Sequence, residues 1–374
     1  MSDSVQAEIK KERRRYPVLD LVRFIAALLI IFIHIFPEGS TTSSVGLDST
    51  LPVIISESFV YAIIRVAAPI FFFISSFLLF KRIEEDKENG WKKVGSFCLR
   101  LLFLYLFWYV VGLPLTIKDI VGFATSGDTN GLIRYFVITF WKGAPRGYWF
   151  LASLAFGVFI ANIVKGKKGL IVLTVISLVM YVFGCLNSAY FGIFVGREDP
   201  FSKGFYFIGE YLELSFCYLE ALLFVILGKI FALYGPFKIR WNIAFIIISF
   251  FLMVTELFLT ISNNLLIYPD AYFSLPIFIF FFMNRILMIN IESESFAKKA
   301  ERLKKIGSFS YLFHIQFFVY LHWILDSCNC NIFRQYIALL LIPYVVVVGL
   351  CFILQPLCER LSRYRYLRFL RYSY

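Results

Sequence analysis

The sequence predicts an all-α integral membrane protein, a bundle of about ten transmembrane helices with both termini in the cytoplasm. Hydrophobic residues make up 60% of the 374 residues and charged residues only 17%, which leaves too little polar surface for a soluble protein. Apolar runs of about 20 residues, the length at which a helix crosses a bilayer, recur from end to end. The segments between these runs alternate between strongly and weakly basic.

Each predicted span is one apolar run. The second run is longer than a bilayer requires, and we expect it to tilt or kink at Pro69. The first run is expected to be a retained helix and not a signal peptide, because no small-residue cleavage site follows it. The ten predicted spans are residues 18–36, 54–80, 97–116, 148–164, 169–187, 213–233, 242–262, 271–289, 309–326 and 334–354.

The distribution of Lys and Arg predicts the orientation. Every second segment between the spans is basic, and the N-terminal and C-terminal segments belong to this basic set, so both termini are expected in the cytoplasm. Topology and anionic lipid account for the net charge of +12, and no nucleic acid partner is required. The largest external loops are predicted at residues 117–147 and 188–212. The predicted domains are residues 1–15, a basic segment, 16–355, the transmembrane domain, and 356–374, a basic tail.

Three ionisable residues lie in the first span. An ionisable group inside a spanning helix costs at least ~2.5–3.5 kcal/mol, so Asp20, Arg23 and His34 require an explanation. Arg23 and His34 are separated by eleven residues, about 16 Å of helix rise and close to three turns, so they share a face at different depths. This pattern favours a functional site. Alternatively, Arg23 snorkels to the interface with Asp20 as its partner, and His34 is an interfacial residue bonded to water or a carbonyl.

Arg65 lies near the middle of the second run, with no carboxylate within a turn on either side. Its planar guanidinium suits an anion such as phosphate. A structural ion pair is the competing interpretation of Arg65. For Arg100, at the start of the third span, snorkelling to the cytoplasmic interface is an adequate explanation. The acidic candidates for the ion pair are Glu57, Glu210, Glu213, Glu220 and Glu256.

Other polar residues give weaker signals. His314 and His322 in the ninth span roughly share a face and either line a cavity or bond a neighbouring helix. Asn263, Asn264 and Asp270 form a polar external turn without a specific signature. The seven cysteines have no metal-like spacing, and we expect no metal site.

Together these segments resemble the membrane-bound acyltransferase-3 family. Residues 19–26, Leu-Asp-Leu-Val-Arg-Phe-Ile-Ala, followed by His34, are similar to its first-helix signature, Leu-Asp-x-x-Arg-x-x-Ala with a His eleven residues beyond the Arg. Residues 65–75 are similar to its second motif, Arg-x-Ala-x-Pro-x-Phe-Phe-x-x-Ser-Gly. Residues 149–151 and 310–314 match looser motifs, and the resemblance extends over residues 16–355.

The chain departs from the family pattern at three points. Ser76 stands where a Gly is usual, which is expected to alter the approach of a neighbouring helix. The Arg-x-x-Arg of the third span is reduced to Arg100, with Phe103 in the second place. The Glu that some members carry after the Trp motif is absent. These departures place the chain nearer the branch with stand-alone membrane domains.

The resemblance implies an O-acyltransferase, most often an O-acetyltransferase, in the inner (cytoplasmic) membrane. The donor would be cytoplasmic acyl-CoA, with acetyl- and succinyl-CoA both open, and no permanently bound cofactor is implied. The acceptor would be a hydroxyl of a cell-surface polysaccharide or lipid-linked glycan. A transporter or flippase for a glycan or lipid-linked sugar is the alternative function, and a scaffold in polysaccharide export is a third. The expected site residues are His34 and Arg23 for catalysis, Arg65 and Arg100 for donor binding, and Tyr148, Trp149 and His314 for acceptor binding.

Overall fold

The computed structural model describes residues 16–34, 50–142, 148–212, 217–266, 269–327 and 337–373, which form helices joined by turns, with no strand among them. The predicted N-terminal segment 1–15 lies outside these residues. In chain order the helices are α1 (Pro17–Ile33), α2 (Leu51–Ile64), α3 (Ala67–Glu85), α4 (Gly90–Ser126), α5 (Thr129–Lys142), α6 (Trp149–Ile163), α7 (Gly166–Leu186), α8 (Pro200–Leu212), α9 (Tyr218–Tyr234), α10 (Asn242–Ser262), α11 (Leu275–Leu287), α12 (Glu294–Ser327) and α13 (Ile337–Leu361), with 3-10 helices at Phe191–Ile193 and Arg365–Ser373.

Helices lie at all ten of the predicted apolar runs, so the all-helical fold class is confirmed. Within the described residues, five helical stretches are long and apolar enough to cross a membrane. The count of ten spans and the cytoplasmic placement of the termini stay predictions. The five stretches are Leu51–Glu85, Gly90–Ser126, Gly166–Leu186, Asn242–Ser262 and Ile342–Leu361.

The two segments predicted as large external loops are mostly helical, which corrects that prediction. Helix α4 continues to Ser126 and ends where Gly127 takes a left-handed conformation (φ 71°), and α5 follows at once. Helix α8 begins after Asp199, whose carboxylate accepts a hydrogen bond from the Ser202 amide at 2.9 Å. Hydrogen bonding to the Ser202 side chain and amide holds the pKa of Asp199 below its usual value. Helices α5 and α8 have 14 and 13 residues, and Arg134 in α5 and Lys203 in α8 interrupt their apolar sequence, so neither appears as a membrane-length apolar run.

The second apolar run is interrupted, as expected, but at Arg65 and Val66 and not at Pro69. Pro69 has no amide hydrogen to donate to the Arg65 carbonyl, and its ring crowds that carbonyl. The helical hydrogen bonding therefore breaks one turn before the proline. The break separates α2 from α3 and places Arg65 at the end of α2.

Helix α3 occupies the centre of the bundle. Phe72, Phe73 and Ile74 are inaccessible, so α3 is covered by other helices on all sides. It packs closely on α9, where a side chain on Gly228 would meet the Ser76 hydroxyl and, at 2.5 Å, the Phe73 carbonyl oxygen. The Ser at position 76 is therefore accommodated by a glycine on the facing helix, and the close approach of the two helices is kept.

Helices α1 and α12 lie side by side and run in the same direction. Lys304 of α12 bonds Asp20 near the start of α1 at 3.1 Å. Farther along, a Cβ added to Gly307 would lie 3.0 Å from the Cα of Phe24. At the end of α1, the rings of His34 and His314 have their centroids 5.1 Å apart. Because of this parallel packing, residues at matching depths of the two helices face one another.

Candidate active site

A cavity of about 260 Å³ lies between α1, α3, α4, α6 and α12. Among the described residues that line it, none is acidic. Ser75, Phe150 and Tyr311 contribute to its walls. The cavity therefore concentrates positive charge against an apolar wall and suits an anionic group joined to a less polar one. Its basic residues are Arg23, Arg82, Arg100, Lys304 and Lys305.

Arg23 is half-buried in the wall of this cavity. Its Nη2 donates a hydrogen bond to the Ser75 hydroxyl at 3.0 Å, which ties α1 to α3. Within the described part of the chain, its buried Nε has no hydrogen-bond partner. Asp20, expected as the partner of Arg23, instead bonds Lys304 at 3.1 Å. Arg23 thus has donor capacity that no carboxylate takes up.

Arg100, Lys304 and Lys305 extend the basic wall. Lys304 is held by Asp20, and Lys305 bonds Glu359 at 2.7 Å, so both lysines are oriented by carboxylates that stand outside the cavity lining. Arg100 is solvent-accessible at the rim. A side chain at the rim can reach water at the interface and also contribute charge to the cavity, so snorkelling does not conflict with a role of Arg100 in the cavity.

His34 and His314 form a pair at the far end of α1. His34 is exposed, and His314 is inaccessible. The His314 Nδ1 lies 2.9 Å from the Ser310 carbonyl oxygen, and because a carbonyl can only accept, this nitrogen carries the proton. In the neutral ring Nε2 is then an acceptor, and it has no hydrogen-bond partner among the described residues. The side chain of His322 lies outside those that the structure describes.

The histidine pair and the cavity share two helices. Tyr311, which lines the cavity, has its ring centroid 6.0 Å from that of His314. Arg23 and His34 are separated by about 16 Å along α1, and Lys304 and His314 by about 15 Å along α12. The polar groups therefore form two sites, a basic one and an imidazole one, at two depths along α1 and α12.

Tyr148 and Trp149 lie at the start of α6. Tyr148 is buried, and its hydroxyl accepts a hydrogen bond from Gln316 Nε2 at 2.6 Å, which connects it to the helix that carries His314. Trp149 is half-buried and packs on Phe72, with ring centroids 5.8 Å apart. Neither lines the basic cavity, whereas Phe150, the next residue along, does. Their predicted contact with the acceptor stays a prediction.

Arg65 lies apart from the basic cavity. It forms a buried ion pair with Asp270, with both side chains almost inaccessible, and it does not line the cavity. The geometry favours the structural ion pair over a donor phosphate as the explanation for Arg65. Asp270 was not among the acidic candidates that the sequence suggested for this ion pair. Of those candidates, Glu220 is within electrostatic reach of both Arg65 and Asp270. The side chains of Glu210 and Glu213 lie outside those that the structure describes.

Asp270 is buried because side chains satisfy the backbone of its turn. Ser188 accepts hydrogen bonds from the amides of Asp270 and Ala271 at 3.1 and 3.0 Å, and the Tyr181 hydroxyl donates to the Tyr272 carbonyl at 2.9 Å. The Glu256 carboxylate accepts hydrogen bonds from the amides of Phe273 and Ser274 at 2.7 and 2.8 Å. Asp270, predicted to lie in a polar external turn with Asn263 and Asn264, is therefore buried inside the protein, whereas Asn263 and Asn264 are exposed in a turn.

Sequence reasoning missed three of the basic residues, Arg82, Lys304 and Lys305. All three were attributed to the positive-inside pattern alone. A signal was present, because Lys304 precedes His314 by ten residues on one helix, nearly the same spacing as that from Arg23 to His34. Two parallel helices with matched cation-to-histidine spacing indicate a shared site.

The fold and site define a multi-pass membrane protein with a basic cavity and a histidine pair along shared helices. A family model described as an acyltransferase domain matches residues 16–355, and the chain therefore belongs to the acyltransferase-3 family. No solved structure shows significant similarity to the chain.

The chain is also similar to parts of two curated proteins from Enterococcus faecalis, each named amino-acid racemase. One is 22% identical over 176 residues, covering 47% of this chain and 23% of the relative. The other is 26% identical over 180 residues, covering 48% of this chain and 22% of the relative. The aligned part of this chain thus spans less than a quarter of the length of either relative.

Proposed function

We propose that this protein transfers an acyl group, most often acetyl, from cytoplasmic acyl-CoA to a hydroxyl of a cell-surface polysaccharide or lipid-linked glycan. The observation that carries the proposal is the basic cavity, where five cationic side chains converge and no described lining residue is acidic. Guanidinium and ammonium groups bind phosphate oxygens, so the phosphates of the donor belong at this end. The proposal places the enzyme in the inner membrane.

The separation of the cavity from the histidine pair, about 15–16 Å along α1 and α12, suits an extended acyl-CoA donor. With its phosphates near Arg23 and Lys304, an extended acyl-CoA would direct its thioester along α1 and α12 past Tyr311 towards His34 and His314. The thioester then reaches the imidazole site while the charged end stays in the basic cavity. This arrangement supports transfer to an acceptor on the opposite side of the membrane.

His34 would act as the general base. It takes the proton of the acceptor hydroxyl as the oxygen attacks the thioester carbonyl, a C–O bond forms, the C–S bond breaks, and the CoA thiolate leaves and takes up a proton. Imidazole suits this role because it exchanges a proton near physiological pH. His314 would position the reacting groups, because its Nδ1–H is fixed by Ser310 and its Nε2 remains an acceptor beside His34.

A transporter or flippase would also place buried polar residues along a path. The family match favours acyl transfer. The resemblance to the racemases does not extend the proposal to racemisation, because more than three quarters of either relative lies outside the aligned region.

The test is acyl transfer by His34→Ala. A general base contributes about 10²–10⁴-fold in rate, so the purified variant should lose transfer by that factor with near wild-type thermal stability, because His34 is exposed at the helix end. Ile25→Ala, at an exposed position on the same helix, is the matched control and should keep its activity. Transfer by His34→Ala within a few-fold of wild type would exclude His34 as the base.

The acceptor and donor are identified by mass spectrometry of the surface glycan from wild-type and deletion strains. We expect the deletion to remove a mass increment equal to acetyl or succinyl, which distinguishes the two donors. An unchanged glycan would contradict a glycan acceptor. Complementation with the His34→Ala variant should fail to restore the increment.

A further inference from the structure

The last described segment of the chain repeats a three-residue unit. Residues 365–373 read Arg-Tyr-Leu-Arg-Phe-Leu-Arg-Tyr-Ser, with Arg in the first place of each unit. The segment folds as a 3-10 helix, Arg365–Ser373. A 3-10 helix has 3.0 residues per turn, so residues three apart align on one face. The sequence period and the helix period coincide, and each place in the unit becomes a separate face.

The faces have different environments. Arg365, Arg368 and Arg371 align on one face, and all three are exposed. Leu367 and Leu370 share a second face and are half-buried. The aromatic face is also open, with Tyr366 at 88% and Phe369 at 52% exposure.

The segment packs beside a surface of α4 that no described residue covers. Phe369 contacts Phe107 in α4, with ring centroids 6.4 Å apart. On α4, Leu102, Leu106 and Val110 are exposed, which in a membrane protein is the surface that lipid chains cover. The aromatic face therefore adjoins this exposed surface of α4, and the arginine face lies next to it on the same 3-10 helix.

We propose that the Arg365–Ser373 helix binds the phosphate headgroups of anionic phospholipids. The guanidinium fork pairs with phosphate oxygens in two places, and aromatic side chains are enriched at headgroup depth. From residue 360 to the C-terminus the sequence contains five arginines and no acidic residue, so the segment has no internal carboxylate to compete with a phosphate. This surface is separate from the donor cavity, whose lining includes none of these residues.

The experiment measures phosphatidylglycerol bound to the full-length purified protein by native mass spectrometry, with phosphatidylcholine as the neutral reference. We expect the triple variant Arg365→Gln, Arg368→Gln, Arg371→Gln to lose about tenfold or more in apparent affinity for phosphatidylglycerol, since each basic residue near an anionic surface contributes several-fold. Binding of phosphatidylcholine should not change. Because the measurement does not involve acyl transfer, its outcome is independent of the proposed function.

The matched control changes the same charge elsewhere. Lys298, Lys299 and Arg302 are exposed on α12, and replacing all three by Gln should leave phosphatidylglycerol binding within twofold of wild type. Equal losses in both triple variants, or no loss in the tail variant, would overturn the proposal. Displacement of the lipid by millimolar inorganic phosphate would also overturn it, because the site would then be a free-anion site.

A charge-conserving variant covers the case in which the Gln variant does not fold. Replacing the three arginines of the repeat by Lys keeps the charge and removes the planar fork. This variant should keep a preference for phosphatidylglycerol over phosphatidylcholine, reduced several-fold from wild type. Loss of all preference in a folded Lys variant, or no change in it, would contradict binding through the arginine face.

Discussion

Arg65 and Arg23 are both arginines inside apolar runs, but their side chains lie in opposite electrostatic environments. Arg65 is buried in an ion pair with Asp270, within a region where side chains also satisfy the nearby backbone. Arg23 bonds a neutral serine hydroxyl in the wall of a cavity that gathers four further cations. The first region is closed and electrostatically paired, and the second is open and carries an excess of positive charge.

The difference shows that burial of a cation in a membrane protein does not by itself indicate a binding site. An arginine whose charge is matched by a carboxylate stabilises the structure, whereas one bonded only to a neutral group keeps the capacity to bind an anion. Variants of the two regions should therefore separate into effects on folding and effects on ligand binding.

The largest expected effect is on the closed region. Removing one partner of a buried ion pair leaves an uncompensated charge and costs about 3–5 kcal/mol. Arg65→Ala should therefore lower the yield and melting temperature of the protein in detergent. Because Glu220 is also in electrostatic reach, Asp270 would not be the only carboxylate that loses a counter-charge. An Arg65→Ala variant with wild-type stability and weaker donor binding would instead place Arg65 in the donor site.

A double variant sharpens this prediction. Arg65→Met combined with Asp270→Leu removes both charges of the pair, so its loss of stability should be smaller than the sum of the two single losses. Thermal melts of the wild type, the two single variants and the double variant in one detergent give the coupling free energy between the two side chains. Strict additivity would mean that the two side chains do not stabilise one another.

A smaller effect is expected for Gly228, where α9 approaches α3. An added methyl would lie 2.5 Å from the Phe73 carbonyl oxygen, a backbone atom that cannot move alone, so Gly228→Ala should cost about 1–3 kcal/mol. Gly95→Ala is the matched control, because a Cβ there meets no atom within 4 Å and alanine is the better helix former. Equal melting temperatures for the two variants would show that the α3–α9 contact is looser than described.

The smallest expected effect is that of replacing Arg100, at the rim of the basic cavity, on the KM for acyl-CoA. Arg100 is exposed, so water and salt screen its charge, and Arg100→Gln should raise KM for acyl-CoA a few-fold with kcat and stability unchanged. Lys92→Gln, also exposed on α4 but absent from the cavity lining, should leave KM unchanged. Identical KM values for wild type and Arg100→Gln would remove Arg100 from the donor site.

Sequence patterns predicted the helical fold because apolar length and periodicity are local properties. The spacing of Arg23 and His34 on α1 indicated a shared face, and the structure adds residues of α12 at both depths: Lys304 lines the same cavity as Arg23, and His314 lies beside His34. Those partners depend on which helices pack together and in which direction, and a single sequence does not contain that information in local form.

The incorrect expectations have the same origin. Asp270 was described as part of an external turn because its neighbours are polar, and only the tertiary hydrogen bonds from Ser188, Tyr181 and Glu256 explain its burial. Helices α5 and α8 were missed because charged residues, Arg134 in α5 and Lys203 in α8, interrupt their apolar sequence, so neither segment contains a membrane-length apolar run. Lys304 and Lys305 were attributed to topology because the positive-inside rule explained them without a site.

The central claim is that the cavity of Arg23 binds the acyl donor, and a thermal melt with and without acetyl-CoA tests it most directly. A ligand at a hundred times its Kd stabilises a protein by about 2.7 kcal/mol, so saturating acetyl-CoA should raise the melting temperature of the wild type clearly. Arg23→Gln keeps a hydrogen-bond donor for Ser75, so without ligand its melting temperature should be close to that of the wild type. With acetyl-CoA, its melting temperature should rise much less than that of the wild type. An equal response in both proteins, or no response in the wild type to any acyl-CoA, would contradict the assignment of the donor to this cavity.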